Sequence, residues 1–289
     1  MTTALEQRSA IQATLMRSTI HTVSAGDFRL FAAGLRAGRR EWWLRAQRHQ
    51  VAAPDMEVVA DLLRERLSQG PCRATELKDL LTGRGIPRVA WSGAGHWLEM
   101  VRVPPSGTWE RRRADLYGLA EDWLPARPAT EAEGLDLLVC RYLGGFGPAS
   151  ASDVANWAGL PVSRILPAVE RIGLVRYRDE EGGELLDLAD APLPDPATLA
   201  PVRFLPTWDA TLLVHARRTQ ILPERYRPLV FNTRTPHSVP TFLVDGAVAG
   251  TWRYERGGVR LEPFELLSAA TQRAVEDEAH LLAAFHAAG

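Results

Sequence analysis

The chain has 289 residues, a formal net charge of −1, a pI near 6.7 and 46% hydrophobic residues, the composition of an ordinary soluble globular protein with about two to four small domains. The charge balance excludes a uniformly basic nucleic-acid coat, so any DNA surface has to be a local patch. No apolar run approaches the roughly 20 residues of a membrane span, no signal-peptide pattern is visible, and Cys72 and Cys140 form no CxxC, which speaks against a disulfide scaffold and for a reducing cytoplasm.

In chain order, residues 10–16 and 19–23 are predicted to pair as a hairpin. Ser24, with Asp27 three residues on, caps a helix from Ala25 to about Arg45. This reads as the wing of a first winged helix plus a connecting helix (residues 1–50). With no helices of that module upstream, the wing's apolar residues are expected to be poorly covered.

Residues 51–127 repeat a fuller version. Residues 56–67 are helical, with Val58, Val59, Leu62, Leu63 and Leu67 apolar, and Gly70-Pro71 breaks the helix. Thr75 caps a short helix through Leu80 and Leu81, and a less regular third helix spans residues 88–98. Strands at 99–103 and 114–119 flank Pro104-Pro105-Ser106-Gly107-Thr108, a longer, arginine-rich wing. The repeat is structural rather than a close sequence repeat.

Residues 128–190 carry the clearest module. Thr130 with Glu133 forms a capping box, followed by Leu135, Leu138, Val139 and Tyr142 at helical spacing. Ser150 with Asp153 caps a short helix ending at Gly159. Pro161 and Ser163 open a third, with Ile165, Leu166, Val169 and Ile172 as its stripe. Residues 174–178 and 184–188 then make strand, turn and strand. Helix, helix, recognition helix and hairpin is a winged helix, a unit that meets DNA, meets only protein, or serves as a spacer.

The last third changes character. Pro192, Pro194 and Pro196 stiffen a linker. Strand-like runs follow at 202–205, 212–215, 241–244, 248–254 and 259–263, with Asp245-Gly246 and Gly257-Gly258 as hairpin turns. Residues 268–288 form an amphipathic helix with Val275, Leu281, Leu282 and Phe285 inward. The fold class is α+β: tandem winged-helix domains, then a small antiparallel β-barrel (residues 195–289) with a C-terminal helix.

Five motifs recur in a fixed order. They are Met16-Arg17-Ser18-Thr19-Ile20-His21; Val101-Arg102-Val103-Pro104-Pro105-Ser106-Gly107-Thr108-Trp109; Arg141-Tyr142-Leu143 with Phe146-Gly147-Pro148, Asp153 and Trp157; Leu205-Pro206-Thr207-Trp208-Asp209 with Leu212-Leu213, His215 and Arg218; and Val248-Ala249-Gly250-Thr251-Trp252-Arg253. Each is weak alone. Together they resemble the bacterial winged helix DNA-binding domain family that contains the AlkZ and YcaQ-type DNA glycosylases.

The resemblance implies tandem winged helices in a C shape closed by a β-barrel, with duplex DNA in the concave face and excision of alkylated, including crosslinked, purines. An N7-alkylated purine is already cationic, so positioning water and stabilising the sugar cation would suffice, a task for oriented amides or one carboxylate. The family's Gln-x-Gln or Gln-x-Asp catalytic stretch lies upstream of the arginine–histidine motif and is not matched; Gln12-Ala13-Thr14 is a superficial likeness on the wing. The catalytic residues are therefore open, and the expectation is a DNA-binding protein inactive as a glycosylase without that stretch. A non-catalytic DNA-binding or regulatory protein is the alternative, and a protein-interaction scaffold a third.

Lys78 is the one lysine among 34 basic residues, a bias that a GC-rich genome produces unaided. Arginine nevertheless clamps phosphate with two hydrogen bonds where lysine does not. Arg17 and His21 are read on one strand face, either as a buried hydrogen-bonded pair or as lining of a DNA-facing cleft. Arg111 and Arg113 share a face of the second wing's return strand, opposite Arg112, and are read as a phosphate clamp or a solvated edge. Arg164 on the recognition helix and His215, Arg217 and Arg218 on the barrel complete the predicted DNA-binding set. The seven histidines show no metal-like spacing, so no metal and no cofactor are expected. A monomer is expected.

Overall fold

The computed structural model describes residues 1–216, 218–232 and 237–288, with backbone alone for residues 53, 54 and 232. The chain divides into two compact units, Met1–Ala189 and Asp190–Gly289.

In the first unit, α1 (Thr2–Glu6) leads into a hairpin of β1 (Ala10–Thr14) and β2 (Ile20–Ser24). Its tip is a 3-10 turn at Met16–Ser18, where Arg17 (φ 50°) and Ser18 (φ 58°) take the left-handed conformation. Ser24 Oγ accepts from Asp27 N at 3.1 Å and starts α2 (Ala25–Gln47), as expected. Then come α3 (Ala53–Ser68), β3 (Cys72–Arg73), α4 (Ala74–Gly83), α5 (Ala90–Gly93), β4 (Met100–Arg102), β5 (Leu116–Leu119) and α6 (Ala120–Trp123).

The strands form one sheet in the order β2-β1-β4-β5-β3. The expectation of a poorly covered N-terminal hairpin fails here. β1 pairs with β4 at Gln12↔Arg102, so the hairpin extends a sheet the sequence offered no way to foresee, and Ile11 and Ala13 are each 1% exposed. Two local readings also change. The helix expected to be capped by Thr75 starts two residues earlier, its N-cap being Arg73, with no side-chain cap. The third helix expected over 88–98 shrinks to α5 and a 3-10 turn at Ala94–His96. Gly93 and Gly95 disfavour helix there, and a Cβ on Gly93 would come within 2.6 Å of the Trp43 indole.

The unit ends in α7 (Glu131–Phe146), α8 (Ala151–Ala158), α9 (Val162–Arg171) and the hairpin β6 (Val175–Arg178) with β7 (Glu184–Asp187). Both expected capping boxes are present, Thr130 with Glu133 and Ser150 with Asp153. Helix α7 lies against α2, and Gly34 meets Gly134 there: a Cβ on Gly34 would stand 2.6 Å from the Gly134 carbonyl carbon.

The second unit contains β8 (Arg203–Leu205), α10 (Ala210–Leu213), α11 (Arg227–Val230), β9 (Phe231–Asn232), β10 (His237–Ser238), β11 (Thr241–Val244), β12 (Ala247–Glu255), β13 (Gly258–Pro263) and α12 (Ala269–Ala287). The expected β-barrel is corrected to an open antiparallel sheet, β13-β12-β11-β8, whose outer strands do not pair with each other. The strand expected at 212–215 is instead α10, started when the Asp209 carboxylate accepts from Thr211 N at 2.8 Å. That removes one strand from any closure. Asp245-Gly246 makes a tight turn with both φ positive, as read, and the second turn falls on Arg256-Gly257. In α12, Val275 and Ala279 are buried, but Leu281 and Phe285 point outward at 68% and 72% exposure. The buried stripe is narrower than the apolar pattern suggested.

Candidate functional site

The first unit holds a cavity of about 420 Å³, within the usual range for small-molecule sites. Four segments build it: the hairpin tip, the middle of α2, the α5 turn, and β4 with β5. Trp42, Trp43, Trp91, Trp97 and Tyr117 give it aromatic walls. Edge contacts lock these rings: Trp43 with Trp97 at 5.7 Å and Trp91 with Tyr117 at 5.1 Å between centroids. Trp43 also donates through Nε1 to Ser92 Oγ at 2.9 Å. Trp42 (48% exposed) and the exposed Arg36 bring the lining out to solvent.

The polar lining is unusually cationic. Glu99, the one carboxylate in the wall, is held by Arg29 Nη1 at 2.7 Å and by Arg36 Nη2. Arg39 is 4% exposed. It donates to Gly159 O at 3.3 Å and to Ser18 Oγ, and lies over the Trp42 ring at 4.4 Å. Arg102 is 7% exposed; Nε donates to Ala114 O at 3.1 Å, and Nη2 to Thr14 Oγ1 at 3.1 Å and Tyr117 Oη at 3.0 Å. Burial lowers both arginines' pKa values from the ordinary range. His96 lines the same wall, Nε2 3.2 Å from Ser18 Oγ, its carbonyl accepting from Arg40 Nε at 2.8 Å. Burial, with Arg39 and then Arg40 nearby, pushes its pKa down to about 4, so it is uncharged at neutral pH.

None of these groups belongs to the sequence-predicted set, although Arg17 adjoins them. Arg17 sits on the hairpin tip, not on a strand, because the turn from Leu15 to Thr19 precedes β2. It therefore does not share a strand face with His21. Its Nη1 donates to Trp157 O at 2.5 Å, while His21 Nδ1 lies 3.0 Å from Thr19 O. Burial, partly opposed by that carbonyl and helped by Arg17, lowers the His21 pKa. Gln12 spends its amide: Nε2 donates to Gly107 O at 3.1 Å, and Oε1 is buried without a partner among the described residues.

Arg111, Arg112 and Arg113 lie in a loop between β4 and β5, so strand alternation does not sort them. Ser106 pins the loop: its hydroxyl accepts from Asp115 N at 2.7 Å and donates to Arg113 O at 2.7 Å. Gly107 N donates to Arg111 O at 2.8 Å, with Gly107 at φ 80°. On that frame Arg111 is exposed, Arg112 stacks over the exposed Trp109 at 4.4 Å, and Arg113 meets Asp115 at 3.3 Å. Arg164 is held by Glu131 at 2.7 Å and by Glu41. In the second unit His215 and Arg218 line one small cleft, and Arg217 lies outside the described residues. Among the described residues no group of three or more His, Cys, Asp or Glu side chains is placed to hold a metal ion, and no helix is long and apolar enough to cross a membrane.

The cavity had one signal in the sequence. Arg39 stands four residues after Leu35 and four before Trp43, inside the apolar stripe of a long helix, where a charged residue needs a reason.

A family model described as "DNA glycosylase AlkZ-like" matches residues 1–285. No curated protein matches the sequence. Among solved structures, the Streptomyces sahachiroi DNA glycosylase AlkZ superposes with a TM-score of 0.77 at 20% identity, over 96% of this chain and 79% of that one. At that identity the likeness speaks for the fold.

Proposed function

Because the chain belongs to the AlkZ-like DNA glycosylase family, we propose that it binds duplex DNA as a monomer and hydrolyses the N-glycosidic bond of a modified purine extruded into the cavity. The observation that supports this reading best is the cavity itself. A base taken out of the stack needs aromatic faces to lie against and a few polar groups at its edge, and about 420 Å³ lined by four indoles and a phenol supplies both. Hydrolysis breaks the C1′–N bond and leaves its electron pair on the base. The oxygen of a water molecule bonds to C1′, and a proton from that water ends on the base when the purine was uncharged, or goes to solvent when it was already cationic. Glu99 is the wall's single carboxylate, and its role is to face the developing sugar cation or hold that water.

The DNA-facing elements belong to the same proposal. Residues 51–127 and 128–190 act as winged helices, and Arg17, His21, Arg111, Arg113, His215 and Arg218 approach phosphate, whereas Arg164 is taken up by Glu131 and Glu41. Alkylated purines, including crosslinked ones, are the substrate class the resemblance implies.

The experiment is base release from duplexes that each carry one modified purine, with uncharged and cationic lesions both included, scored as abasic sites against the spontaneous rate. The expected result is release from at least one lesion, slowed about tenfold or more in Glu99→Gln, the scale of a lost electrostatic stabiliser. A non-catalytic DNA-binding role is favoured by one observation: both Glu99 oxygens are already in ion pairs. DNA binding with no release from any lesion would establish it.

A further inference from the structure

Resting on the reading that a purine is extruded from duplex DNA, we propose that Trp109 enters the vacancy the purine leaves and stacks its indole on the flanking bases. Trp109 is the most exposed of the chain's nine tryptophans, at 71%. Single apolar side chains on a surface are ordinary, but this one stands on a loop whose hydrogen bonds hold it out. Ser106 and Thr108, just before it, are both buried. Thr108 Oγ1 donates to Pro105 O at 2.9 Å and accepts from Arg111 N at 3.3 Å, so one buried hydroxyl closes the turn that carries Trp109. The Trp109 N–H is spent as well, donating to Thr2 Oγ1 at 3.3 Å. The backbone is held on both sides of the residue while its ring stays in water, where an apolar surface of that size gains by being covered.

The surroundings fit a nucleobase. Arg112 stands over the ring, 4.4 Å from its centroid, and Arg111 and Arg113 beside it are exposed. Glu110 receives a hydrogen bond from the same Thr2 hydroxyl at 3.2 Å. An indole among arginines stacks on bases while the cations hold the backbone next to them. The loop is also rooted in the cavity wall. Arg102 ends β4 and Tyr117 lies in β5; both line the cavity, and the chain between them is this loop. Gln12 Nε2, donating to Gly107 O, ties the loop to β1 two residues before Thr14, another wall residue. A side chain that fills the gap has to stand near the site that holds the base, and this loop starts there. In intact DNA an inserted ring must first unstack a step. Where a purine has already left, that cost is met and the ring gains the faces of its two neighbours.

The test is fluorescence anisotropy of the full chain with two duplexes of one sequence, the first intact and the second carrying a tetrahydrofuran residue, an uncleavable vacancy, in place of one purine. The wild type is expected to bind the vacancy duplex tighter by about tenfold or more, the scale of a base stacked on an aromatic side chain. Trp109→Ala is expected to lose that preference, to bind the intact duplex much as the wild type does, and to keep the wild-type salt slope, since no cation is removed. Trp109→Phe, which keeps an aromatic face, is expected to retain most of the preference; with the wild type it carries the test should Trp109→Ala not fold. Equal wild-type binding of the two duplexes, a preference that survives in Trp109→Ala, or a phenylalanine variant that behaves as the alanine one overturns the proposal. Neither duplex carries a lesion to excise, so binding is read without bond cleavage. If the vacancy preference holds while no base leaves any modified duplex, the activity reading fails alone; if base leaves while the wild type binds both duplexes alike, this inference fails alone.

Discussion

Ser18 Oγ lies 3.2 Å from His96 Nε2, and Arg39 donates to the same hydroxyl. Burial, with Arg39 and Arg40 alongside, keeps the imidazole neutral, since its protonation would set a further cation against the arginine that shares its hydroxyl partner. The hairpin tip is thus tied through one hydroxyl to α2 and to the turn after α5. The tie depends on His96 staying unprotonated.

That dependence sets a pH response. The folded pKa of His96 is lowered from 6.5 to about 4. In the unfolded chain the imidazole takes its proton as pH falls through 6.5, while in the folded chain it resists until about 4. The unfolded state binds more protons in that window, so stability is full above it and falls by about 3 kcal/mol across it. Urea midpoints measured from pH 7 down to 4.5 should drop in the wild type and drop less in His96→Gln. Parallel curves for the two proteins would show that other groups own the acid limb.

Gly34→Ala should be among the most damaging small changes in the first unit. The added Cβ would stand 2.6 Å from the Gly134 carbonyl carbon and 2.8 Å from Leu135 N, both backbone atoms of α7. No side chain can swing aside, so α2 and α7 must part, at a cost of about 1–3 kcal/mol. Gly145→Ala is the control: it sits in the same α7 with nothing within 4 Å of its Cβ, and gains about 0.5–1 kcal/mol from helix propensity. Urea unfolding of both variants checks the pair, with opposite signs expected.

The local parts of this fold were readable and the long-range parts were not. Thr130 with Glu133, Ser150 with Asp153 and Ser24 with Asp27 announce helix starts because a cap is an interaction three residues long. The alternation of Val248, Gly250 and Trp252 marks β12 for a similar reason. The pairing of Gln12 with Arg102 joins positions 90 residues apart, and no period encodes it. Barrel closure failed likewise, since edge pairing is a tertiary outcome. The cavity draws on four separate segments, so its residues do not cluster in sequence. Only Arg39, a charge inside an apolar stripe, stood out locally. Arg111 to Arg113, expected on the return strand, lie in a loop because Ser106 and Gly107 hold it through hydrogen bonds that composition does not show.

Arg164 offers a prediction about stability rather than DNA affinity. Its guanidinium joins α9 to α7 through Glu131 and to α2 through Glu41, and a phosphate would have to compete with both. Arg164→Ala is expected to lower stability by about 1 kcal/mol, a network pair of modest exposure, and to leave the salt dependence of DNA binding nearly unchanged. Urea unfolding and binding in rising salt read the two effects separately. A fall in the salt slope of about 0.9, the share of one neutralised phosphate, would mean the carboxylates release the arginine to DNA.

The arginine loop is where phosphate binding is expected. Arg111 is exposed without a side-chain partner among the described residues, and Arg113 has a side chain 82% exposed with only Asp115 beside it. Arg112 is occupied over Trp109. Removing one arginine that neutralises a phosphate should reduce the slope of log K against log salt by about 0.9 on B-form DNA, so Arg111→Ala with Arg113→Ala should flatten it by roughly one to two units. Because backbone contacts carry no base information, the weakening should be alike for unrelated sequences. Arg112→Ala should act differently: it frees the Trp109 indole and changes the slope less than the double variant does. Fluorescence anisotropy with two unrelated duplexes over a salt series decides this. If the double variant keeps the parent slope, or if Arg112→Ala produces the larger change, the loop is not the phosphate clamp, and the cleft lined by His215 and Arg218 becomes the next to test.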